Sequence, residues 1–480
     1  MSVTLSRQFS LDDQQAFAEF SGDFNPLHVD PVVARRTPYG AIMVHGLHLT
    51  LWALDQLAAH RGAASWRTVR AAFHQPVFLD DPVTLAEPRQ ESDGAWLAQV
   101  VGAEGTARAS IWLEPNAALA RLTAAQPARG DASATPEDPP FASLKGMRGA
   151  TPLFLDAQRL EALFPQLAVT AEPAWIAVLL ATTRVVGMLC PGLHSLFSGL
   201  ELQRDESAEG ASPALEYVVK RASTPRAPIK IAVSGAQLRG TLAAFHRPPP
   251  AAQPSAAEIF AAHGHNRYAG QHALILGGAR GLGEICAKLI AAGGGEVMIT
   301  YAHGADDAQR VADEIGQAGG RCGVMAWDVT APPEPDVLAN LTDVTHLYYF
   351  ATPPIGGGAH GDVFDADRFA MFSQFYVVGF SNTVTLLRHV IGSDKPLTLF
   401  YPSTVFIEEQ PEGVAEYAAA KAAGESLCAH LQARNPLLRA FAPRLPRLRT
   451  DQNLSLLGPA PAEPLETLAP WVERLHAPVV

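Results

Sequence analysis

The chain has 480 residues, too many for one ordinary hydrophobic core, so its length predicts about two to four domains. Its net charge of −12 at pH 7 argues against nucleic acid or an anionic membrane as the main partner. No apolar run approaches the roughly 20 residues of a bilayer span, and the four scattered cysteines form no metal-binding pattern. We therefore expect a cytoplasmic protein with reduced thiols and no metal.

Two segments rich in proline and alanine divide the chain and predict its domain boundaries. They lie at 124–140 and at 247–268, and neither can bury enough apolar surface to fold by itself. They separate two segments of similar size, 1–123 and 141–246, from a larger one at 269–480.

The first two segments share one pattern of elements. Each has a long apolar helix, predicted at 41–57 and at 173–188, followed by strand-like runs. The runs lie at 66–75, 83–86, 96–101 and 107–113, and then at 196–203, 214–221, 230–234 and 237–245. One helix followed by an antiparallel meander, occurring twice, predicts a duplicated α+β unit.

The first segment contains the string SGDFNPLH at residues 21–28, with an aspartate and a histidine five residues apart. Because an Asn-Pro pair breaks a helix, Asp23 and His28 are expected to converge from an irregular loop. A Val-His-Gly sequence ending at Gly46 follows within the predicted long helix. This string resembles the signature of the MaoC-like (R)-specific enoyl-thioester hydratases, which adopt the hot-dog fold.

That resemblance covers residues 17–46 and extends by architecture to a double hot dog. It implies that Asp23 and His28 act as an acid–base pair, adding water to an α,β-unsaturated thioester or removing it in reverse. It also implies that Asn25 orients the pair and that the Gly46 backbone N–H stabilises the enolate oxygen. The second segment has no such string, so we expect it to widen the acyl cavity. His194 is expected in a structural role, with a ligand contact as the alternative.

The third segment alternates strand and helix patterns, which is typical of a doubly wound parallel sheet. A glycine cluster lies between its first strand and first helix, where the backbone can approach a pyrophosphate at a helix N-terminus. The candidate cofactor-binding residues in this loop are Gly277, Arg280, Gly281, Leu282 and Gly283. Because Arg280 could meet a 2′-phosphate and no acidic residue ends the second strand, NADP(H) is favoured over NAD(H). Asp306 and Asp307 follow shortly after and keep NAD(H) open.

Tyr417 and Lys421 are four residues apart, which places a phenol and an ammonium on one helix face. An unperturbed tyrosine titrates near pH ~10, so it needs a neighbouring cation to act as an acid at neutral pH. With the glycine loop upstream, the chain from Gln271 onward resembles the short-chain dehydrogenase/reductase family. Its closest resemblance is to 3-oxoacyl-thioester reductases.

The family resemblance assigns roles to these residues. Tyr417 would protonate the substrate carbonyl while NADPH supplies hydride, and Lys421 would bind the nicotinamide ribose and lower the pKa of Tyr417. Ser403 is the expected hydrogen-bond donor to the carbonyl, with Thr404 equally compatible by its spacing to the tyrosine. Asp328, after the third strand, is the expected adenine contact.

Three positions depart from the family pattern. Tyr376 stands where the helix asparagine of the catalytic tetrad is expected, and residues 350–352 replace the usual Asn-Asn-Ala-Gly segment. The usual Pro-Gly before the C-terminal threonine, here Thr450, is also missing. These departures motivate an alternative, a degenerate reductase domain that binds nucleotide and serves as a scaffold.

The two resemblances together predict a bifunctional enzyme. NADPH-dependent reduction of a 3-oxoacyl thioester would give the (R)-3-hydroxyacyl thioester, which the first site would dehydrate reversibly to trans-2-enoyl thioester. Coenzyme A and acyl-carrier protein are both open as carriers of the acyl group, and a homo-oligomer is expected by analogy. A third possibility is a hot-dog domain that binds acyl chains without converting them.

Overall fold

The computed structural model describes residues 5–61, 65–103, 105–116, 135–205, 207, 212–264, 266–355, 364–451 and 461–477. It divides into two compact units, one of Met1–Arg35 with Ala41–Pro249 and one of Arg36–Gly40 with Pro250–Val480. Most of the first predicted linker, at 124–134, lies outside the described residues, and the predicted domain boundaries stay a prediction.

The first unit is built on one antiparallel sheet. Its strands are β1 (Leu5–Arg7), β2 (Ser65–Phe73), β3 (Val83–Leu85), β4 (Arg89–Gln90), β5 (Trp96–Gly102), β6 (Ala107–Asn116), β7 (Arg148–Pro152), β8 (Ser195–Arg204), β9 (Ala214–Arg221), β10 (Ile229–Gly235) and β11 (Leu238–His246). Their order is β1-β3-β5-β6-β2-β8-β11-β10-β9-β7, with β4 paired to β5. The two halves join where β2 pairs with β8, from Thr68 opposite Gln203 to Ala72 opposite Gly199.

This unit also contains helices, and the two longest of them contact strands of the sheet. The helices are α1 (Leu11–Ser21), α2 (Pro26–Val29), α3 (Pro31–Ala34), α4 (Gly46–Arg61), α5 (Ala157–Leu163), α6 (Pro165–Thr170) and α7 (Pro173–Arg184). Every residue of α7 after Pro173 is buried, as expected of an apolar helix enclosed by a sheet. A π-helical turn at Val185–Leu189 continues α7. The predicted α+β double hot dog is confirmed.

Two local predictions about the first half are wrong. The long helix begins at Gly46 rather than at residue 41, because Met43 pairs with Phe78 in a β-bridge and the Val44 N–H donates to the Val77 carbonyl. The segment after Asn25 is a helical turn rather than an irregular loop. Proline is tolerated at the first helical position, and the Asn25 side chain caps the turn by accepting from the Leu27 N–H.

The second unit contains a six-stranded parallel sheet. Its strands, in sheet order, are β14 (Arg321–Ala326), β13 (Glu296–Tyr301), β12 (His272–Leu276), β15 (His346–Tyr349), β16 (Leu397–Phe400) and β18 (Leu438–Phe441), and β17 (Ser403–Thr404) pairs with β19 (Arg444–Leu445) separately. Ala273 and Ile275 face one hydrophobic cluster, whereas Leu274 and Leu276 face another, so the sheet is covered on both sides. The predicted doubly wound parallel sheet is confirmed.

The helices of this unit cover the two faces of the sheet. They are α8 (Ala256–His263), α9 (Gly281–Ala292), α10 (Ala305–Gln317), α11 (Pro335–Leu338), α12 (Ala366–Ser373), α13 (Phe380–Ile391), α14 (Phe406–Glu409), α15 (Ala415–Arg434) and α16 (Pro464–His476). A π-helical turn at Gln374–Gly379 joins α12 to α13. The strand order reverses between β12 and β15, which is where ligands of such sheets bind. Within the described part of the chain, no helix is long and apolar enough to cross a membrane.

Candidate active sites

The end of α1 places Asp23 beside His28. Gly22 ends the helix in the left-handed region, at φ +76°, and a Cβ atom there would lie 2.8 Å from the Arg184 side chain. The chain then turns sharply, and Asn25 starts α2, which carries His28. Glycine and asparagine therefore set the backbone path that brings the predicted pair together.

The hydrogen bonding of His28 fixes which of its nitrogens is a base. Its Nδ1 lies 2.7 Å from the carbonyl oxygen of Met43, and a carbonyl can only accept, so Nδ1 carries the hydrogen. Burial lowers the pKa of His28 below its usual value, which favours the neutral ring. The lone pair of a neutral His28 is therefore on Nε2.

Asp23 is fully buried, with a side chain held at both oxygens. Oδ2 accepts a hydrogen bond of 2.6 Å from the Thr183 hydroxyl, and Oδ1 accepts one of 3.2 Å from the Asn25 backbone N–H. Burial raises the pKa of Asp23, and His28 and Thr183 oppose that rise by favouring the carboxylate. Thr183 belongs to the second half and lies in no motif, so nothing in the sequence pointed to it.

Asn25 positions the loop through its own side chain. Its Nδ2 donates to the backbone oxygens of Gly187, at 2.8 Å, and Gly192, at 3.1 Å. Both acceptors lie in the second half of the unit. The predicted orienting function of Asn25 is consistent with this contact, which anchors the segment between Asp23 and His28.

A second histidine completes the cluster. His45 stacks on His28 with ring centroids 3.9 Å apart, and the donor atoms of Asp23, His28 and His45 lie within 4.8 Å of one another. The ring nitrogens of His45 contact Gln14 Oε1 at 2.9 Å and the backbone oxygen of Asp23 at 3.1 Å. Because both ring nitrogens of His45 already have hydrogen-bond partners, we interpret the cluster as an acid–base site rather than a metal site.

Gly46 is the first residue of α4, so its backbone N–H is one of the first-turn donors without a partner inside the helix. A Cβ atom at this position would lie 2.8 Å from the Phe73 ring, so any side chain here would displace that ring. The N–H at this helix end is the kind of group that stabilises a developing oxyanion.

The glycine loop of the second unit has the shape of a pyrophosphate cradle. Gly277 has φ +77°, and its missing Cβ would lie 3.0 Å from the backbone of Phe350 and Ala351 after β15. A Cβ at Gly283 would lie 2.3 Å from the Gly277 carbonyl oxygen, so α9 approaches the turn closely. With Gly281 and Leu282 opening α9, the loop fits a dinucleotide bound at the switch point.

Arg280 and Asp328, two other residues predicted to bind the cofactor, both contact neighbouring protein groups. Arg280 directs Nη1 to within 3.7 Å of Asp451 Oδ2, near the C-terminal segment. Asp328 is exposed after β14, and its Oδ1 accepts hydrogen bonds from the backbone and hydroxyl of Thr330. Asp307 is buried in the first turn of α10.

Tyr417 and Lys421 are buried on one face of α15. Lys421 Nζ donates to the Pro402 carbonyl at 2.8 Å and lies over the rings of Tyr376, at 4.0 Å, and Tyr401, at 4.7 Å. Burial lowers the pKa of Lys421 to about 7. Burial raises the pKa of Tyr417 to about 12, with the Thr404 side chain opposing the rise, whereas the resemblance implied that Lys421 lowers this pKa.

The structure separates the two candidate carbonyl donors. Ser403 donates to Glu425 Oε1 at 2.5 Å, and Glu425 also pairs with Arg444, so this hydroxyl is engaged away from Tyr417. Thr404 is the residue whose side chain is near enough to Tyr417 to lower its pKa. Neighbouring residues of a strand point to opposite faces, which is why only one of the pair reaches the tyrosine. The geometry thus favours the alternative, Thr404, over the first choice, Ser403.

Two departures from the family pattern contact each other. The hydroxyl groups of Tyr376 and Thr352 share a hydrogen bond, and the Tyr376 carbonyl accepts from the Tyr401 hydroxyl at 3.2 Å. The Tyr376 ring is fully buried, with its centroid 5.6 Å from that of Tyr417. The tyrosine in place of asparagine therefore lies directly beside the predicted catalytic pair.

Comparison with known protein families gives two matches. A model described as MaoC like domain matches residues 2–106, and one described as short chain dehydrogenase matches residues 271–348. Each match contains the string or glycine loop that indicated the corresponding domain.

Two curated proteins are similar to the N-terminal region. The mitochondrial 3-hydroxyacyl-(acyl-carrier-protein) dehydratase of Arabidopsis thaliana is 35% identical over 78 residues, 16% of this chain and 47% of that protein. The (R)-specific enoyl-CoA hydratase of Aeromonas caviae is 39% identical over 83 residues, 17% of this chain and 61% of that protein. The chain thus spans about half the length of these relatives.

Solved structures are similar to the C-terminal region at low identity. A dehydrogenase/reductase from Sinorhizobium meliloti is 22% identical, with a TM-score of 0.38. The similarity covers 44% of this chain and 91% of that one.

Proposed function

We propose that this chain, which joins a MaoC-like dehydratase domain to a short-chain dehydrogenase domain, is a bifunctional enzyme of acyl-thioester metabolism. The relatives of its N-terminal region are named as a dehydratase and a hydratase of acyl thioesters. The observation that carries the proposal is the convergence of the Asp23 carboxylate and a neutral His28 within 4.8 Å of each other.

The N-terminal site has the groups that reversible hydration needs. A water molecule between Asp23 and His28 would lose a proton to this pair as its oxygen bonds to C3 of the enoyl thioester. The pair then returns a proton to C2, so the product is the 3-hydroxyacyl thioester. The negative charge that passes through the thioester oxygen is stabilised by the Gly46 N–H. Dehydration is the same path in reverse.

The C-terminal site has the groups that carbonyl reduction needs. A nicotinamide cofactor, when bound, supplies a hydride, and the glycine loop from Gly277 to Gly283 would hold its pyrophosphate. Tyr417 gives its proton to the carbonyl oxygen of a 3-oxoacyl thioester, and Thr404 donates a hydrogen bond beside it. Lys421 would bind the ribose, and its charge in the protonated form would oppose the rise in the pKa of Tyr417 that burial causes. Arg280 supports NADP(H) as the cofactor.

The two sites would share one intermediate, the (R)-3-hydroxyacyl thioester. Joining two sites in one chain raises the effective concentration of each product at the next site. The acyl group is carried on coenzyme A or on an acyl-carrier protein, and the protein works as a cytoplasmic homo-oligomer without nucleic acid, membrane or metal.

Single substitutions in each unit test this proposal. Tyr417→Phe should abolish NADPH oxidation with acetoacetyl-CoA and leave crotonyl-CoA hydration unchanged, and Asp23→Asn should do the reverse. Each variant is the matched control of the other, since both are made in the same chain. If either activity survives the substitution at its own site, the assignment of that site is wrong.

A second candidate function follows from Tyr376 and Thr352. In it, the C-terminal unit binds nucleotide as a scaffold and does not reduce a substrate. To separate the scaffold from an active reductase, the protein is titrated with NADPH while fluorescence is recorded, and 3-oxoacyl thioesters are then added. Binding without oxidation for any acyl length would favour the scaffold.

A further inference from the structure

We infer that the second hot-dog half, which lacks the hydratase string, supplies a positioning residue of the hydratase site: Thr183 orients the carboxylate of Asp23. This inference rests on the proposed hydratase function and adds a residue 160 positions away in the sequence. It changes the expected contribution of the second half, from widening a cavity to shaping the acid–base pair.

The contact between Thr183 and Asp23 is short and enclosed. The Thr183 hydroxyl donates to Asp23 Oδ2 at 2.6 Å, in the range of hydrogen bonds to charged oxygens, and Thr183 is 4% exposed and Asp23 1% exposed. A β-branched side chain in a buried helix has few rotamers, so the hydroxyl is held in place. With the Asn25 N–H on Oδ1, both oxygens are fixed and the carboxylate cannot rotate freely.

The backbone after Thr183 is shaped to receive the same carboxylate. A Cβ atom at Gly187 would lie 2.2 Å from Asp23 Oδ1 and 2.5 Å from Oδ2, so the carboxylate occupies the space a side chain would take. The Gly187 carbonyl accepts from Asn25 Nδ2. Gly187 is in the π-helical turn after α7, and such turns are frequent at functional sites. One short segment of the second half, from Thr183 to Gly187, thus supplies the hydrogen-bond donor to Asp23, the space for its carboxylate and the carbonyl that anchors Asn25.

The charges around Asp23 explain why a hydroxyl is needed there. The titratable groups that face it are His28 on α2, Arg184 on α7 and His45 before α4. Burial lowers the pKa of both histidines, which favours their neutral forms, and Arg184 donates to the backbone oxygens of Ser21 and Pro152. A hydrogen bond from Thr183 favours the charged form of Asp23 without adding a competing cation.

The chain offers a closely matched control in Thr182. It precedes Thr183 on α7, is 0% exposed, and donates its hydroxyl to the Leu179 carbonyl at 2.7 Å. Replacing either threonine by valine removes one buried hydroxyl of the same helix. The structural cost should therefore be similar for both, whereas an effect through Asp23 should follow Thr183 alone.

The experiment compares Thr183→Val, Thr183→Ser and Thr182→Val in the full chain, with crotonyl-CoA as the probe. We expect Thr183→Val to lower kcat for hydration by about 10- to 100-fold, the usual effect of a misplaced reacting group, with KM little changed. The acid limb of its kcat/KM profile should also lie at higher pH than that of the wild type, because the Asp23 carboxylate is easier to protonate without this hydrogen bond. Thr183→Ser should restore most of kcat, and Thr182→Val should stay within about twofold of the wild type.

The outcomes separate the two levels of the proposal. A wild-type chain that does not hydrate any enoyl thioester refutes the proposed function itself. An active wild type with equal kcat and equal pH profiles for Thr183→Val and Thr182→Val overturns the inference alone. If Thr183→Val does not fold, Thr183→Ala and Thr182→Ala make the same comparison. Failure of Thr183→Val and Thr183→Ala to fold, with Thr182→Val and Thr182→Ala folded, would make Thr183 a structural residue and also overturn the inference.

Discussion

Substituting Gly187 by alanine should disable the hydratase without touching any residue of its acid–base pair. The new methyl carbon would start 2.2 Å from Asp23 Oδ1, 2.5 Å from Oδ2 and 2.6 Å from Cγ. Non-bonded heavy atoms at contact are more than about 3 Å apart, so the carboxylate must retreat by roughly 1 Å. Asp23 is a short side chain held by Thr183 and Asn25, and it cannot retreat without breaking one of these hydrogen bonds.

A displacement of about 1 Å at a reacting group costs on the order of 100-fold in rate. We therefore expect Gly187→Ala to lower kcat for crotonyl-CoA hydration by about that factor. Steady-state hydration is the assay, and NADPH oxidation by the same preparation reports whether the chain is intact. Gly316→Ala is the matched control, because no atom lies within 4 Å of its Cβ position and its φ is not in the left-handed region. A Gly187→Ala variant with wild-type kcat would refute the placement of Asp23 against the second half.

Four further outcomes are expected. Thr404→Val should lower kcat for NADPH oxidation by about 10- to 1000-fold, as loss of an oriented donor does, whereas Ser403→Ala should stay within a few fold; the opposite ranking would restore Ser403 as the donor. Tyr376→Leu should lower reductase kcat at pH 7 more than Tyr376→Phe, because only leucine removes the aromatic ring beneath Lys421. Without that ring the pKa of Lys421, which is about 7, should fall further. The acid limb that His28 contributes to the kcat/KM profile of hydration should lie below pH 6.5, because burial lowers the pKa of His28 and its base form is lost as pH falls; a limb above pH 6.5 that Thr183→Val does not move would contradict this. Arg280→Leu should raise KM for NADPH at least about tenfold and leave KM for NADH nearly unchanged, and equal changes for both would argue against a 2′-phosphate contact.

Local sequence signals identified the parts of each site that lie on one short segment. The string at 21–28 gave Asp23, Asn25 and His28, because their spacing and turn residues are contiguous. The glycine loop could also be recognised from the sequence, because positive φ and close backbone approach require glycine locally, independent of the rest of the fold. The sheet types followed from the order of elements, with successive strands after a helix in the first unit and strands alternating with helices in the second.

Contacts made through the fold had no such signal. Thr183 looks like any helical threonine until the packing of α7 against the end of α1 brings it to Asp23. The choice between Ser403 and Thr404 depends on which face of a two-residue strand meets α15, and spacing alone leaves both possible. The helix start at Gly46 was missed because the apolar residues before it pair as extended backbone, and periodicity does not distinguish the two in a short run.

The surroundings of Lys421 indicate that the departures from the family pattern form an altered reductase site and not a site that has lost its function. Enclosing an ammonium costs stability unless the charge is compensated, and an apolar residue at this position would remove that cost. Here the charge lies over two aromatic rings and against the Pro402 carbonyl, and the ring in place of the usual asparagine is one of the two. Tyr376 is in turn held by Thr352, which belongs to the other altered segment. The two departures are therefore one structural change, centred on the cation that Tyr417 needs, and such an arrangement favours an active reductase over a scaffold.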